Sequence, residues 1–100
     1  MTMINCIKFR PKAECEGLIF REAAKIFKGL DGALHTAIIN LDDGEYASIV
    51  VWESMEAFLE VLNRDVTLVD VLRPYVDAYD DGEDFHAISG PAIDLSVYEV

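Results

Sequence analysis

One hundred residues make a single domain, 1–100, with room for one core and no separate module, and a net charge of −11 repels phosphate backbones, which sets nucleic acid aside. Apolar residues are 52% of the chain, enough that a partner or a cavity is needed to cover the surplus. Residues 1–10 carry no signal-like apolar core, no stretch approaches the ~18 apolar residues of a spanning helix, and Cys6 and Cys15 lack metal-ligand spacing, so the expectation is a cytoplasmic protein with reduced thiols and no membrane contact.

Met3 to Phe9, rich in Ile and Phe, predicts a first strand that Pro11 closes, because proline cannot donate to a ladder. Ala13 to Leu30 follows as a helix, with Ile19, Ala23, Ile26, Phe27 and Leu30 on one stripe. Gly29 and Asp31-Gly32 stop it, since glycine enters the left-handed region cheaply. Two apolar runs come next, Ala33 to Leu41 and Glu45 to Trp52, joined by Asp42-Asp43-Gly44. With Asp43-Gly44 as a two-residue loop, Ile38 faces Ile49 and Thr36 faces Val51 on one side of the sheet. On the other side Leu41 meets Tyr46, Ile39 meets Ser48, Ala37 meets Val50 and His35 meets Trp52. Both faces are then mainly apolar, so helices cover one and a second protomer the other.

Ser54 caps the following helix, with Met55, Phe58, Leu59 and Leu62 turned inward. A second helical stretch runs from Asp65 to Leu72, and Pro74 ends it or opens a further turn through Tyr79. Phe85 to Ser89 reads as the fourth strand, Gly90-Pro91 turns the chain, and residues 92–100 form an extended C-terminal arm in which Ile93, Leu95 and Val97 alternate with polar residues. The order strand, helix, strand, strand, helices, strand predicts an α+β, ferredoxin-like split βαβ fold with a four-stranded antiparallel sheet.

Charge is unevenly placed. Six of the eight basic residues precede Leu30, and sixteen of the nineteen acidic residues follow it. Lys8, Arg10 and Lys12 read as a solvated strand end, and the acidic run Asp77, Asp80, Asp81, Glu83 and Asp84 as a solvated turn lacking calcium-loop spacing. His35 and His86 have no partner motif for a metal, and Cys6 has no base to activate it. No phosphate loop, Ser-His-Asp pattern or dinucleotide fingerprint occurs.

The run Val50-Val51-Trp52-Glu53-Ser54-Met55-Glu56-Ala57-Phe58, with the Gly29-Leu30-Asp31-Gly32 bend before the second strand, resembles the antibiotic biosynthesis monooxygenase family of the dimeric α/β barrel group. That resemblance implies a homodimer whose two sheets close a barrel, a small pocket between helices and sheet, and oxidation of an aromatic molecule by dioxygen with no cofactor. Trp52 matches the family's pocket-lining tryptophan, and Asn5 a pocket asparagine of haem-degrading relatives. Val66 to Leu72 contains no histidine where those relatives ligate haem, which disfavours that activity. Arg73 and Tyr75 match substrate-positioning residues of quinone-forming relatives. The site expected is therefore His35, Trp52 and Asn5 at the chemistry, with Tyr46, Ser48, Arg73 and Tyr75 around a small aromatic or phenolic substrate. The competing expectation is a dimeric binding or structural protein with no chemistry, because fold kinship does not transfer an activity.

Overall fold

Strand β1 (Met3–Pro11) is the axis of the fold in a computed structural model that describes residues 2–64 and 66–98. It pairs antiparallel with β3 (Tyr46–Trp52) on one side and with β5 (His86–Pro91) on the other. Outside β3 lies β2 (Ala33–Asn40), and the two-residue β4 (Val76–Asp77) pairs with Arg10 and Pro11 at the far end of β1. The order β2-β3-β1-β5 is the antiparallel ferredoxin-like sheet read from the sequence. Helices α1 (Glu16–Lys28), α2 (Met55–Leu62) and α3 (Leu68–Leu72) connect the strands and pack on one of its faces.

That covered face is set by the register. Met3, Asn5, Ile7 and Phe9 stand opposite Trp52, Val50, Ser48 and Tyr46, and Asn5 and Ile7 also face Ser89 and Ala87. Two apolar clusters anchor it: Phe9 with Ile19, Leu72 and Val76 at one end, and Met3 with Val50 and Trp52 at the other. The opposite face carries Ile4, Cys6 and Lys8 with Ile49 and Val51, and its Ile4 and Ile88 are exposed at 40% and 71%.

Several sequence expectations are corrected. The β2–β3 loop has three residues rather than two: Leu41 N–H donates to the Glu45 carbonyl at 2.9 Å, and Asp42, Asp43 and Gly44 all have positive φ. Ile38 therefore faces Ser48, Ile39 faces Ala47, Ala37 faces Ile49, Thr36 faces Val50 and Asn40 faces Tyr46. The same register sets His35 opposite Val51, and a bulge at Leu34 then brings Ala33 opposite Trp52. Pro11 does not close β1 but extends it alongside β4, and Gly90-Pro91 continues β5 instead of turning the chain. The helix predicted from residue 13 starts at Glu16, and α3 starts at Leu68, capped by Thr67 and Asp70. Pro74 opens a single 3₁₀ turn, Arg73–Tyr75, which gives way to β4 before Tyr79. In the arm, Leu95–Val97 is a 3₁₀ turn capped by Asp94 rather than an extended run, and its last two residues lie outside the described ones.

Candidate functional site

Between the two apolar clusters the sheet offers small or short side chains, and that is where space remains. Asn5 and Ile7 on β1, with Ala87 and Ser89 beside them on β5, do not reach the helices as Phe9 does. The result is a cavity of about 400 Å³ roofed by α2, by Arg64, Val66 and Thr67, and by α3. Such a volume lies in the usual range for small ligands, ~300–1,000 Å³. Its walls are mainly aliphatic and aromatic, with Val50, Phe58, Val61 and Val71 among them.

Trp52 forms one wall. It is 3% exposed and sits edge-on to Phe58, with ring centroids 5.8 Å apart. Phe58 is held by the start of α2, where Ser54 Oγ accepts from Ala57 N–H at 3.1 Å. The indole Nε1–H of Trp52 is buried without a hydrogen-bond partner among the described residues. A buried donor left unpaired costs about 1–3 kcal/mol. Asn5, opposite Val50 on β1, and Ser89 on β5 add short polar groups to the same chamber.

The sequence candidates are thus divided. Asn5 and Trp52 share the cavity; His35, which the two-residue loop placed beside Trp52, stands on the opposite face of the sheet across from Val51. The extra loop residue is the physical reason, since one residue of slip exchanges every side chain between faces. Tyr46 and Ser48 do lie on the Trp52 face but away from this chamber. Tyr46 packs beside Phe20 and Phe9 and lines a separate groove of about 410 Å³ between α1 and β2. The Glu16 carboxylate facing it, aided by burial, raises its phenol above the ordinary range. Ser48 is buried with its hydroxyl unpartnered among the described residues. Arg73 bridges Asp70 at 3.5 Å and Asp84 at 3.3 Å outside the cavity, and Tyr75 packs against the Phe9 cluster.

Sequence reasoning missed Arg64, Thr67 and Ser89, all cavity-lining. Ser89 was recoverable, since it lies two residues from Ala87 on a strand and so on the same face. Arg64 sits in a link whose path no periodicity specifies. Among the described residues no group of His, Cys, Asp and Glu is arranged to hold a metal ion.

An antiparallel ferredoxin-like sheet with helices on one face and an aromatic-walled chamber between the layers defines the class of protein. No protein-family model matches the sequence, and no curated protein matches it significantly. Solved structures do share the fold. A variant of SnoaB, a cofactor-independent oxygenase from Streptomyces nogalater, superposes with a TM-score of 0.68 at 20% identity, over 93% of this chain and 94% of that one. A candidate antibiotic biosynthesis monooxygenase from Deinococcus radiodurans gives 0.72 at 17% identity over 94% of each chain. A dimeric ferredoxin-like protein of unknown function from Jannaschia gives 0.69 at 14% identity, over 92% of this chain and all of that one. The chain has the fold seen in antibiotic biosynthesis monooxygenases and in ferredoxin-like proteins of no known activity.

Proposed function

We propose that the chain is a cofactor-independent monooxygenase for a small aromatic or phenolic compound, working as a homodimer. The observation that carries this reading is an apolar cavity of ligand size between helices and sheet, with Trp52 and the polar Asn5 in its lining. In such chemistry the deprotonated substrate supplies all the electrons. A ring C–H of the phenol, the CH₂ of its keto form, becomes a carbonyl, one atom of dioxygen enters the product, and the other leaves as water. The protein's part is to exclude water, to hold the substrate ring against Trp52 and to present the Asn5 amide to the substrate oxygen on which negative charge develops. His35, on the far face, takes no part.

A second reading, a small-molecule-binding protein with no chemistry, has one observation in its favour. Among the described lining residues the one ionisable side chain is Arg64, so the wall supplies no general base. Oxygen uptake with a panel of phenols and hydroquinones separates the two. The oxygenase reading expects turnover that falls about tenfold or more in Asn5→Ala, for loss of one oxyanion donor, falls also in Trp52→Phe, for the altered cavity wall, and stays at the parent rate in His35→Ala. Ligand binding without oxygen uptake selects the second reading, and uptake unaffected by Trp52→Phe removes the tryptophan from the mechanism.

A further inference from the structure

Arg64 is an unusual residue in this chain. Beyond Leu30 there are sixteen carboxylates and only two cations, Arg64 and Arg73. Arg73 is spent on Asp70 and Asp84. Arg64 forms no ion pair with any described residue, although Glu60 lies one helical turn before it, where pairing is easiest. The carboxylate of the next helix is no competitor either. Asp70 accepts from the Thr67 amide and hydroxyl, both at 3.0 Å, and those bonds hold its pKa below the ordinary value, with Arg73 adding to the effect.

The backbone places this cation deliberately. Asn63 N–H donates to the Leu59 carbonyl and Arg64 N–H to the Val61 carbonyl at 3.0 and 3.1 Å, which ends α2 and sets Arg64 on the cavity wall. It is exposed and flanked by Leu62 and Val66, exposed at 52% and 62%, so it stands at the rim while Trp52 is buried within. A chain of charge −11 repels anions at long range. A guanidinium at the rim that pairs with no described residue reverses that preference locally, because it offers forked donors that suit a carboxylate, phenolate or sulfonate.

We infer that Arg64 is the specificity-determining residue of the cavity and selects aromatic ligands that carry an anionic group, the ring entering toward Trp52 and the charge remaining on the guanidinium. This rests on the cavity being the ligand site, as proposed above, and does not depend on whether chemistry follows.

Two fluorescent probes with a common anilinonaphthalene body make the test. One, 1-anilinonaphthalene-8-sulfonate, bears the anion; the other, N-phenyl-1-naphthylamine, is neutral. Affinities are measured for the parent chain, Arg64→Gln, Arg64→Lys, and Ala87→Phe, which puts a ring into the cavity. Quenching of Trp52, the sole tryptophan, reports that the probe has entered. The inference expects the sulfonate to lose about five- to tenfold affinity in Arg64→Gln, as for a partly exposed charge-assisted pair. Arg64→Lys should recover part of it, the neutral probe should bind all three alike, and the sulfonate preference of the parent should shrink at high salt. Ala87→Phe should weaken both probes. If both probes enter the cavity and Arg64→Gln leaves their ratio unchanged, the inference falls while the cavity reading stands. If neither probe quenches Trp52 or responds to Ala87→Phe, the cavity reading falls and takes the inference with it.

Discussion

Tyr79 ties the β2–β3 loop to the segment that leads into β5. Its hydroxyl donates to Glu45 Oε2 at 2.6 Å, its ring stacks on His86 at 3.9 Å between centroids, and the Arg10 guanidinium lies 4.9 Å from it. Burial, then the Glu45 bond, raises the phenol well above its ordinary 10.0, while the same bond lowers the Glu45 carboxyl from 4.5. The two shifts act at opposite ends of the pH scale. A lowered carboxyl contributes stability above its unfolded value and loses it as pH falls through the folded one, so the Glu45 contribution is full above about pH 4.5 and is lost below it. A raised phenol contributes below its unfolded value and loses that as pH climbs beyond 10.0. Melting curves of Tyr79→Phe should show a lower Tm at pH 7, for the lost bond, and a shallower further fall between pH 9 and about 11 than the parent. Parallel falls in both proteins would show that the phenol does not drive the alkaline limb. None of this was legible in the sequence, because Glu45 and Tyr79 are thirty-four positions apart and meet only once the sheet is assembled. Trp52 and Asn5 were expected at a pocket from the family resemblance rather than from any pattern in the strands, and both line the cavity.

Loops carried the errors at the scale of elements. Asp42-Asp43-Gly44 signals a hairpin, and a hairpin forms, but Asn40 Oδ1 accepts from the Asp42 amide at 2.8 Å and Asp42 takes a φ of 71°. Asn and Asp permit such a turn without requiring it, so the spacing alone could not choose three loop residues over two. That single choice moved His35 to the opposite face. The Gly29-Leu30-Asp31-Gly32 bend shows the same limit, for only its second glycine is left-handed. Gly32 has φ +83°, and a Cβ there would meet the Ala57 Cβ at 2.6 Å, whereas at Gly29, with φ −100°, the nearest atom is the Ile26 carbonyl oxygen at 3.6 Å. Gly32→Ala should therefore cost about 2–4 kcal/mol in denaturant unfolding, combining backbone strain with a clash against α2. Gly29→Ala should be neutral or stabilise by up to about 1 kcal/mol. Similar losses in both would mean that helix termination, rather than the approach of α2, governs the bend. Ser54→Ala tests the other end of that junction and should cost about 1 kcal/mol through the lost bond to Ala57.

For the whole molecule, the expectation of two apolar sheet faces survived the register error because β2 and β3 have few polar residues at either parity. Shifting one strand by a residue exchanges Ile38 for Ile39, and both are apolar. All three helices pack against one face, and the other leaves Ile4, Ile39 and Ile88 exposed at 40%, 41% and 71%. A patch of this kind on a small domain is a surface that water alone covers poorly. The proposed homodimer buries it by laying one open sheet on another, and self-association through a two-fold axis doubles every contact. Ile88, on β5 across from Cys6, is the most exposed of the three, so one substitution there acts twice in the dimer. Ile88→Asp should leave the monomer fold intact, since the side chain is already in water, and should shift sedimentation at micromolar concentration from dimer to monomer. Circular dichroism at the same concentration checks that the fold is retained. An unchanged dimer in Ile88→Asp would move the interface to another surface, and a monomeric parent would remove the dimer while leaving the helix-side cavity, built within one chain, untouched.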